Sequence, residues 1–99
     1  MRYRFLANVQ RWEARVRDDW YFVDIPAEPS AEIHEWADAR PRAGFGAVKV
    51  RARLGSTSWS TSVFPSASGV YSLVLNARVR RVEGVAPGDT VEVEVEITG

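Results

Sequence analysis

The segment Val85-Ala86-Pro87-Gly88-Asp89-Thr90-Val91-Glu92-Val93-Glu94-Val95-Glu96-Ile97 decides the fold class of this chain. It is a turn followed by regular alternation of apolar and acidic residues. Successive side chains of a β-strand point to opposite faces, so the apolar side chains share one face and the glutamates share the other. The apolar set is Val91, Val93, Val95 and Ile97, and the acidic set is Glu92, Glu94 and Glu96. This period predicts a half-buried strand that ends an all-β protein.

Length, charge and cysteine content restrict the class of protein further. The chain has 99 residues, a formal net charge of zero and no cysteine. The length predicts one domain over residues 1–99, and the charge argues against general attraction to nucleic acid or an anionic membrane. The start lacks the apolar core of a signal peptide, and no apolar run reaches the length of a membrane span. We therefore expect a cytoplasmic protein with no membrane contact.

Five more segments read as strands because they alternate or are rich in β-branched and aromatic residues. They cover residues 3–9, 20–25, 48–54, 58–64 and 70–75. The charged stretch 13–19 marks one connection, and Pro41 and Gly44 mark another. These segments and the final strand predict six strands in total.

Two short helices are predicted between the strands. Ser30 is positioned to cap the first helix, in which Ile33, Trp36 and Ala37 form one apolar stripe. Asn76 is positioned to cap the second helix, which runs through Glu83 and ends at Gly84. Six strands and two short helices in a domain of this size favour a closed or partly open β-barrel.

Two rows of charge predict one pair of neighbouring strands. Lys49, Arg51 and Arg53 share a face of the third strand, and the three glutamates share a face of the last strand. If the two strands are adjacent, these rows face each other as complementary cross-strand pairs. Exposed pairs of this kind are weak, so we expect them to select the register more than to add stability.

Several segments in a fixed order resemble a known family. They are Trp20-Tyr21-Phe22-Val23-Asp24-Ile25-Pro26, Gly44-Phe45-Gly46-Ala47-Val48-Lys49-Val50, Trp59-Ser60-Thr61-Ser62-Val63-Phe64-Pro65, Tyr71-Ser72-Leu73-Val74-Leu75, Val79-Arg80 and Gly84-Val85-Ala86-Pro87-Gly88-Asp89. Together they resemble the small bacterial family catalogued as domain of unknown function 1905, over essentially the whole chain. The resemblance implies a double-split β-barrel, similar in fold to the AbrB-like transition-state regulators and antitoxins. It implies no established reaction, cofactor or catalytic residue.

The Ser/Thr-rich fourth strand is the first candidate site. Alternation places Trp59 and Thr61 on one face and Ser60 and Ser62 on the other. One interpretation is a row of hydroxyls beside an aromatic platform, in a groove for a small molecule or a protein partner between the fourth and fifth strands. The candidate ligand-binding residues are Trp59, Ser60, Thr61, Ser62, Tyr71 and Arg80. The alternative is an ordinary strand with Trp59 in the core and hydroxyls in water.

Arginines of the second helix give a second candidate. Arg78, Arg80 and Arg81 form a basic cluster that could contact nucleic acid in the manner of an AbrB-like regulator. Arg80 falls at the arginine of the family pattern, and its alternative role is structural. A non-catalytic binding module and a nucleic-acid-binding regulator are therefore the two main hypotheses.

Catalysis and metal binding have weaker support. The only histidine, His34, lies off the apolar stripe of its helix, and no nucleophile elbow surrounds any serine. A Ser–His hydrolase is a distant third hypothesis. A lone histidine and scattered carboxylates predict no metal site and no cofactor. Trp12, near the end of the first strand, is expected to be exposed and would then mark a contact surface.

Overall fold

The computed structural model describes residues 1–12, 20–40 and 46–99. Within them, one helix follows the first three strands and a second helix follows the next three strands. The strands are β1 (Arg2–Asn8), β2 (Gln10–Trp12), β3 (Trp20–Asp24), β4 (Val48–Leu54), β5 (Thr57–Pro65), β6 (Tyr71–Val74) and β7 (Thr90–Ile97). The helices are α1 (Ala27–Asp38) and α2 (Ala77–Glu83). The predicted connections at 13–19 and at Pro41 and Gly44 lie outside the described residues. Neither of the two helices is long and apolar enough to cross a membrane.

The strands form one antiparallel sheet in the order β1-β7-β4-β5-β6-β3-β2, curled into a half-barrel. The all-β class and the two helices are confirmed, but the described residues contain seven strands instead of six. The predicted first strand ends at Val9, but the chain continues beyond Val9 as a further strand, so that β1 pairs with β7 and β2 pairs with β3. Since β1 and β2 are consecutive, the two edges of the sheet are joined covalently through Val9.

The division at Val9 is held by the turn that precedes the last strand. The amide of Val9 donates to the carbonyl of Asp89 at 2.8 Å, and the amide of Gly88 donates to the carbonyl of Val9 at 2.8 Å. Gly88 has φ of +91°, a conformation that favours glycine. The carboxylate of Asp89 closes the turn by accepting the amide of Ala86 at 2.8 Å. The turn therefore anchors the bend at which the chain passes from one edge of the sheet to the other.

The predicted charge rows do lie on neighbouring strands. β4 pairs with β7, with Arg51 opposite Glu96 and Arg53 opposite Glu94. On the other side of β7, Arg2 lies opposite Glu96 and Arg4 lies opposite Glu94. Among the described residues, the ion pairs of the glutamate row within 4 Å are made to β1: Arg2 to Glu96 at 3.2 Å, Arg4 to Glu94 at 3.5 Å and Arg4 to Glu92 at 3.8 Å. The glutamate row thus lies between two arginine rows, and slipping either partner strand by one residue would turn its arginines to the other face.

The core fills the inner face of the curled sheet and is covered by α1 and α2. Its members are apolar side chains that alternate with outward residues along each strand; the most buried include Val23, Val50, Val63, Leu73, Val93 and Val95. Ile33 and Ala37 complete the core from α1, as the apolar stripe predicted, while Trp36 is partly buried beside them. The core therefore uses one face of the sheet and leaves the other to solvent.

The ends of the two helices differ in how well the sequence predicted them. The side chain of Asn76 accepts the amide of Val79 at 2.9 Å, and Gly84 ends α2 with φ of +65°, so both predicted caps are confirmed. The predicted cap at Ser30 is wrong, because α1 begins at Ala27 after Pro26 and Ser30 lies inside the helix. Its hydroxyl is buried and bonds instead to the β3–β6 region.

Tyr3 connects β1 to α1 across the barrel. Its hydroxyl donates to a carboxylate oxygen of Glu32 at 3.1 Å. Burial of the phenol, followed by the hydrogen bond to Glu32 and the negative charge of that carboxylate, raises the pKa of Tyr3 to about 12. The phenol therefore stays protonated in the folded protein to higher pH than a free tyrosine does.

Candidate functional site

An open groove of about 680 Å³ lies on the outer face of the sheet, across β2, β3, β6 and the end of β5. Its large apolar lining residues are Trp12, Trp20, Phe22, Phe64 and Val74. Trp12 is 59% exposed, Trp20 50% and Phe64 43%. Large apolar side chains thus cluster on a face that takes no part in the core.

The register of the strands assembles this apolar surface. Trp12 lies opposite Trp20 across the β2–β3 pair, and Phe22 lies opposite Val74 across the β3–β6 pair. The two indole rings meet edge to face, with centroids 6.4 Å apart and planes at 84°. This is one of the favourable arrangements of an aromatic pair, and half or more of each side chain remains exposed. The expectation that Trp12 is exposed is confirmed.

One charged side chain, Asp24, lies among the groove residues that the structure describes. One carboxylate oxygen accepts the hydroxyl of Ser72 at 2.9 Å, and the other accepts the side-chain amide of Gln10 at 3.0 Å. Both donors are neutral, so they orient the carboxylate without neutralising it. A charge of fixed position therefore lies at the polar end of an aromatic surface.

The candidate residues of the fourth strand lie on both faces of β5, as the alternation predicts. Trp59 is 8% exposed and faces the core, and Thr61 is half-buried on the same face. Ser60 and Ser62 are on the outer face, opposite Arg51 and Lys49 of β4. Neither set is among the described residues that line the groove, so the strand contributes to it only through Phe64.

The two remaining candidate residues also lie away from the groove. Tyr71 is 2% exposed and belongs to the core. The guanidinium of Arg80 stacks on the ring of Tyr21, 4.1 Å from the ring centroid, in a cation–π contact. The Nε atom of Arg80 is buried and has no hydrogen-bond partner among the described residues.

The arginine cluster of α2 is divided by this contact. Arg78 and Arg81 are exposed, whereas Arg80 is partly buried against β3. The three side chains therefore do not present one continuous basic face.

His34 lies on the exposed side of α1. Its Nε2 atom is 3.1 Å from a carboxylate oxygen of Asp38 one helical turn later. In the described part of the chain, no serine is among the hydrogen-bond partners of His34, and no three acidic or histidine side chains group as metal ligands. The arrangement around His34 is that of an exposed side chain in contact with a carboxylate of its own helix.

Sequence reasoning did not identify the groove residues Trp20, Phe22 and Asp24, although it placed them on a strand. The available signal was the run Trp20-Tyr21-Phe22-Val23, in which apolar residues occupy both faces of the strand. Such a strand is expected to be covered on both sides. Within the described residues, the core covers only the face of Tyr21 and Val23.

The comparison with known families gives one match. A family model described as Domain of unknown function (DUF1905) matches residues 5–95. The match covers most of the chain, so the chain belongs to this family and the resemblance stated from the sequence is confirmed. No curated protein matches the sequence.

Proposed function

We propose that this member of the DUF1905 family is a non-catalytic binding module that holds a small organic ligand with an apolar body in the outer groove. The observation that carries the proposal is the contiguous surface formed by Trp12, Trp20, Phe22, Phe64 and Val74. Single exposed apolar residues are ordinary, but an exposed cluster marks a contact site. The groove volume of about 680 Å³ is within the range of small-molecule pockets.

The inner core does not use these side chains. The core cluster on the inner face contains neither Trp12 nor Trp20, and α1 and α2 complete it from the opposite side. Exposed tryptophans on a short edge strand and its neighbour add a risk of aggregation without stabilising that core. A ligand that covers the rings would gain the apolar burial that the fold leaves unused.

A thermal-shift screen of small organic ligands tests the proposal, because a ligand that binds the native state raises its melting temperature. We expect positive shifts with the wild type that disappear in Trp12→Ser. The matched control is Leu6→Ser, which changes an exposed apolar residue of the other edge strand, outside the groove. Shifts that persist in both Trp12→Ser and Phe64→Ser would overturn the proposal. So would a stable dimer that dissociates in Trp12→Ser, since the groove would then be a subunit interface.

The nucleic-acid hypothesis predicts a different result. Binding through the exposed Arg78 and Arg81 would retard duplex DNA at low salt, with affinity falling steeply as salt rises. We expect no retardation, since the chain has no net charge and Arg80 is engaged with Tyr21. Retardation that is lost in Arg78→Ser/Arg81→Ser would favour the regulator and overturn the binding-module proposal.

Two finer expectations belong with this proposal. We take the topology to be that of a double-split barrel, supported by the bent β1–β2 strand that joins the two sheet edges at Val9. We place the protein in the cytoplasm of a bacterium, supported by the lack of cysteine and by the family resemblance.

A further inference from the structure

We propose that the ligand of the outer groove is a small organic cation, whose ammonium group pairs with Asp24 while its apolar body lies on Phe22 and the Trp12–Trp20 pair. This inference rests on the proposed function and adds the charge and orientation of the ligand.

The carboxylate of Asp24 is the first step of the argument. A carboxylate offers about four acceptor positions, and the hydroxyl of Ser72 and the amide of Gln10 occupy two of them. Among the described residues Asp24 forms no ion pair, and every other described groove residue is uncharged. A ligand group that complements this surface must therefore be positive and must donate hydrogen bonds.

The aromatic lining favours the same charge. The face of an aromatic ring attracts a cation within about 6 Å of its centroid, so Phe22, the next residue on the same face of β3, is the ring that favours an ammonium group at Asp24. The edge-to-face contact of Trp12 and Trp20 fixes two indole planes at 84° to each other beside the groove, where the apolar body of the ligand packs. An anion would meet the unfavourable ring faces and the Asp24 charge together. A neutral ligand would gain only the apolar contact.

Strand geometry sets the orientation and length of the ligand. Trp20, Phe22 and Asp24 are every second residue of β3 and therefore face the same side of the sheet. Measured along the strand from Asp24, Phe22 lies about 7 Å away and Trp20 about 13 Å away. An ammonium group at Asp24 therefore directs an attached hydrocarbon across Phe22 toward the tryptophan pair. An arylalkylammonium such as phenethylammonium matches the first part of this sequence, with its ammonium group at Asp24 and its ring on Phe22, directed toward the tryptophan pair.

Three probes with nearly the same body and different charge test the inference: phenethylammonium, 2-phenylethanol and phenylacetate. Their affinities are measured by isothermal titration and by tryptophan fluorescence at low salt. We expect phenethylammonium to bind about tenfold more tightly than 2-phenylethanol, as a charge-assisted hydrogen bond allows, and phenylacetate to bind more weakly than either. The preference for the cation should shrink as salt screens the open groove.

The matched variants are Asp24→Asn and Asp38→Asn. Asparagine keeps the shape of the side chain and can still bond to Gln10 and Ser72, so the melting temperature should change little. Asp24→Asn should remove the preference for phenethylammonium over 2-phenylethanol. Asp38→Asn removes a carboxylate of α1 outside the groove and should leave the affinities for all three probes unchanged.

The possible outcomes separate this inference from the proposed function. Equal binding of the three probes, abolished by Trp12→Ser, would overturn the cation inference and retain the apolar groove. A preference for phenethylammonium that survives in Asp24→Asn would overturn the role of Asp24. If none of the three probes binds while other compounds still give Trp12-dependent thermal shifts, only the cation inference fails. Both proposals fail if no compound gives such a shift.

Discussion

Replacing Ser30 by alanine tests the most specific polar contact of the fold. The hydroxyl of Ser30 donates to the carbonyl of Ile25 at 2.9 Å and accepts the amide of Tyr71 at 3.0 Å. Ser30 is 2% exposed, so both bonds are shielded from water. One side chain of α1 thus bonds to the backbone next to β3 and to the first residue of β6. Those two strands also carry Phe22, Asp24 and Val74 of the groove.

The expected loss of stability in Ser30→Ala follows from these two hydrogen bonds. Removing a buried hydrogen-bond partner costs about 1–3 kcal/mol for the group that loses it, so two groups give about 2–6 kcal/mol. Alanine favours a helix interior over serine by at most about 0.5 kcal/mol, which offsets a small part. We expect Ser30→Ala to lower the free energy of unfolding by about 2–5 kcal/mol, equivalent to roughly 10–40 °C in melting temperature for a domain of this size.

Urea unfolding followed by circular dichroism measures this change, with Ser60→Ala as the matched control. Ser60 is exposed on the outer face of β5, so its loss should change the free energy of unfolding by less than about 0.5 kcal/mol. If Ser30→Ala is as stable as Ser60→Ala, the hydroxyl does not join α1 to the sheet and the reasoning fails. Nearly complete unfolding of Ser30→Ala without denaturant would show that the contribution is larger than two hydrogen bonds.

Three more predictions concern other contacts. Because the pKa of Tyr3 is raised, its protonated phenol stabilises the folded protein fully below about pH 10, and this stabilisation is lost as pH rises toward 12. In urea melts across this interval, the free energy of unfolding of the wild type should fall by up to about 2 kcal/mol, and Tyr3→Phe should not show this fall. Thr57→Val should lower the free energy of unfolding by about 1–2 kcal/mol, because the hydroxyl of Thr57 is buried and donates to the carboxylate of Glu83 at 2.5 Å; an unchanged urea midpoint would refute this. Glu94→Lys places a cation between two arginine rows, so it should destabilise the protein by about 1 kcal/mol at low salt and by less in 1 M NaCl. Glu94→Gln is the neutral control, and an effect of Glu94→Lys that does not depend on salt would exclude the electrostatic cause.

The elements that sequence predicted well are those whose pattern is set by one buried face. β4 and β7 alternate over their whole length, and the sheet buries one face of each. The charge rows also predicted their adjacency, because like-charged alternatives are disfavoured locally. The caps at Asn76 and Gly84 depend on backbone groups within a few residues and were therefore visible in the sequence.

The features that could not be predicted from the sequence depend on groups that are far apart along the chain. Val9 continues the inward alternation of Tyr3, Phe5 and Ala7, so no local signal marks the division between β1 and β2. The division depends on hydrogen bonds to Gly88 and Asp89, about eighty residues away in sequence. Ser30 has the residue type of a helix cap, and its buried partners become apparent only when α1 is packed on the sheet.

The outer face of the sheet has two regions of different chemical character. On β1, β7 and β4 it is a ladder of arginine and glutamate, which is well hydrated and fixes register at little energetic gain. On β2, β3 and β6 the described residues form an aromatic surface around one carboxylate, and this surface does not contribute to the core. The sequence could have continued the charged pattern across the whole face, since the inner core does not depend on Trp12 or Trp20. Because an exposed aromatic surface lowers solubility, the contrast between the two regions supports our proposal that a ligand binds at Asp24 and its aromatic neighbours, away from the charged ladder.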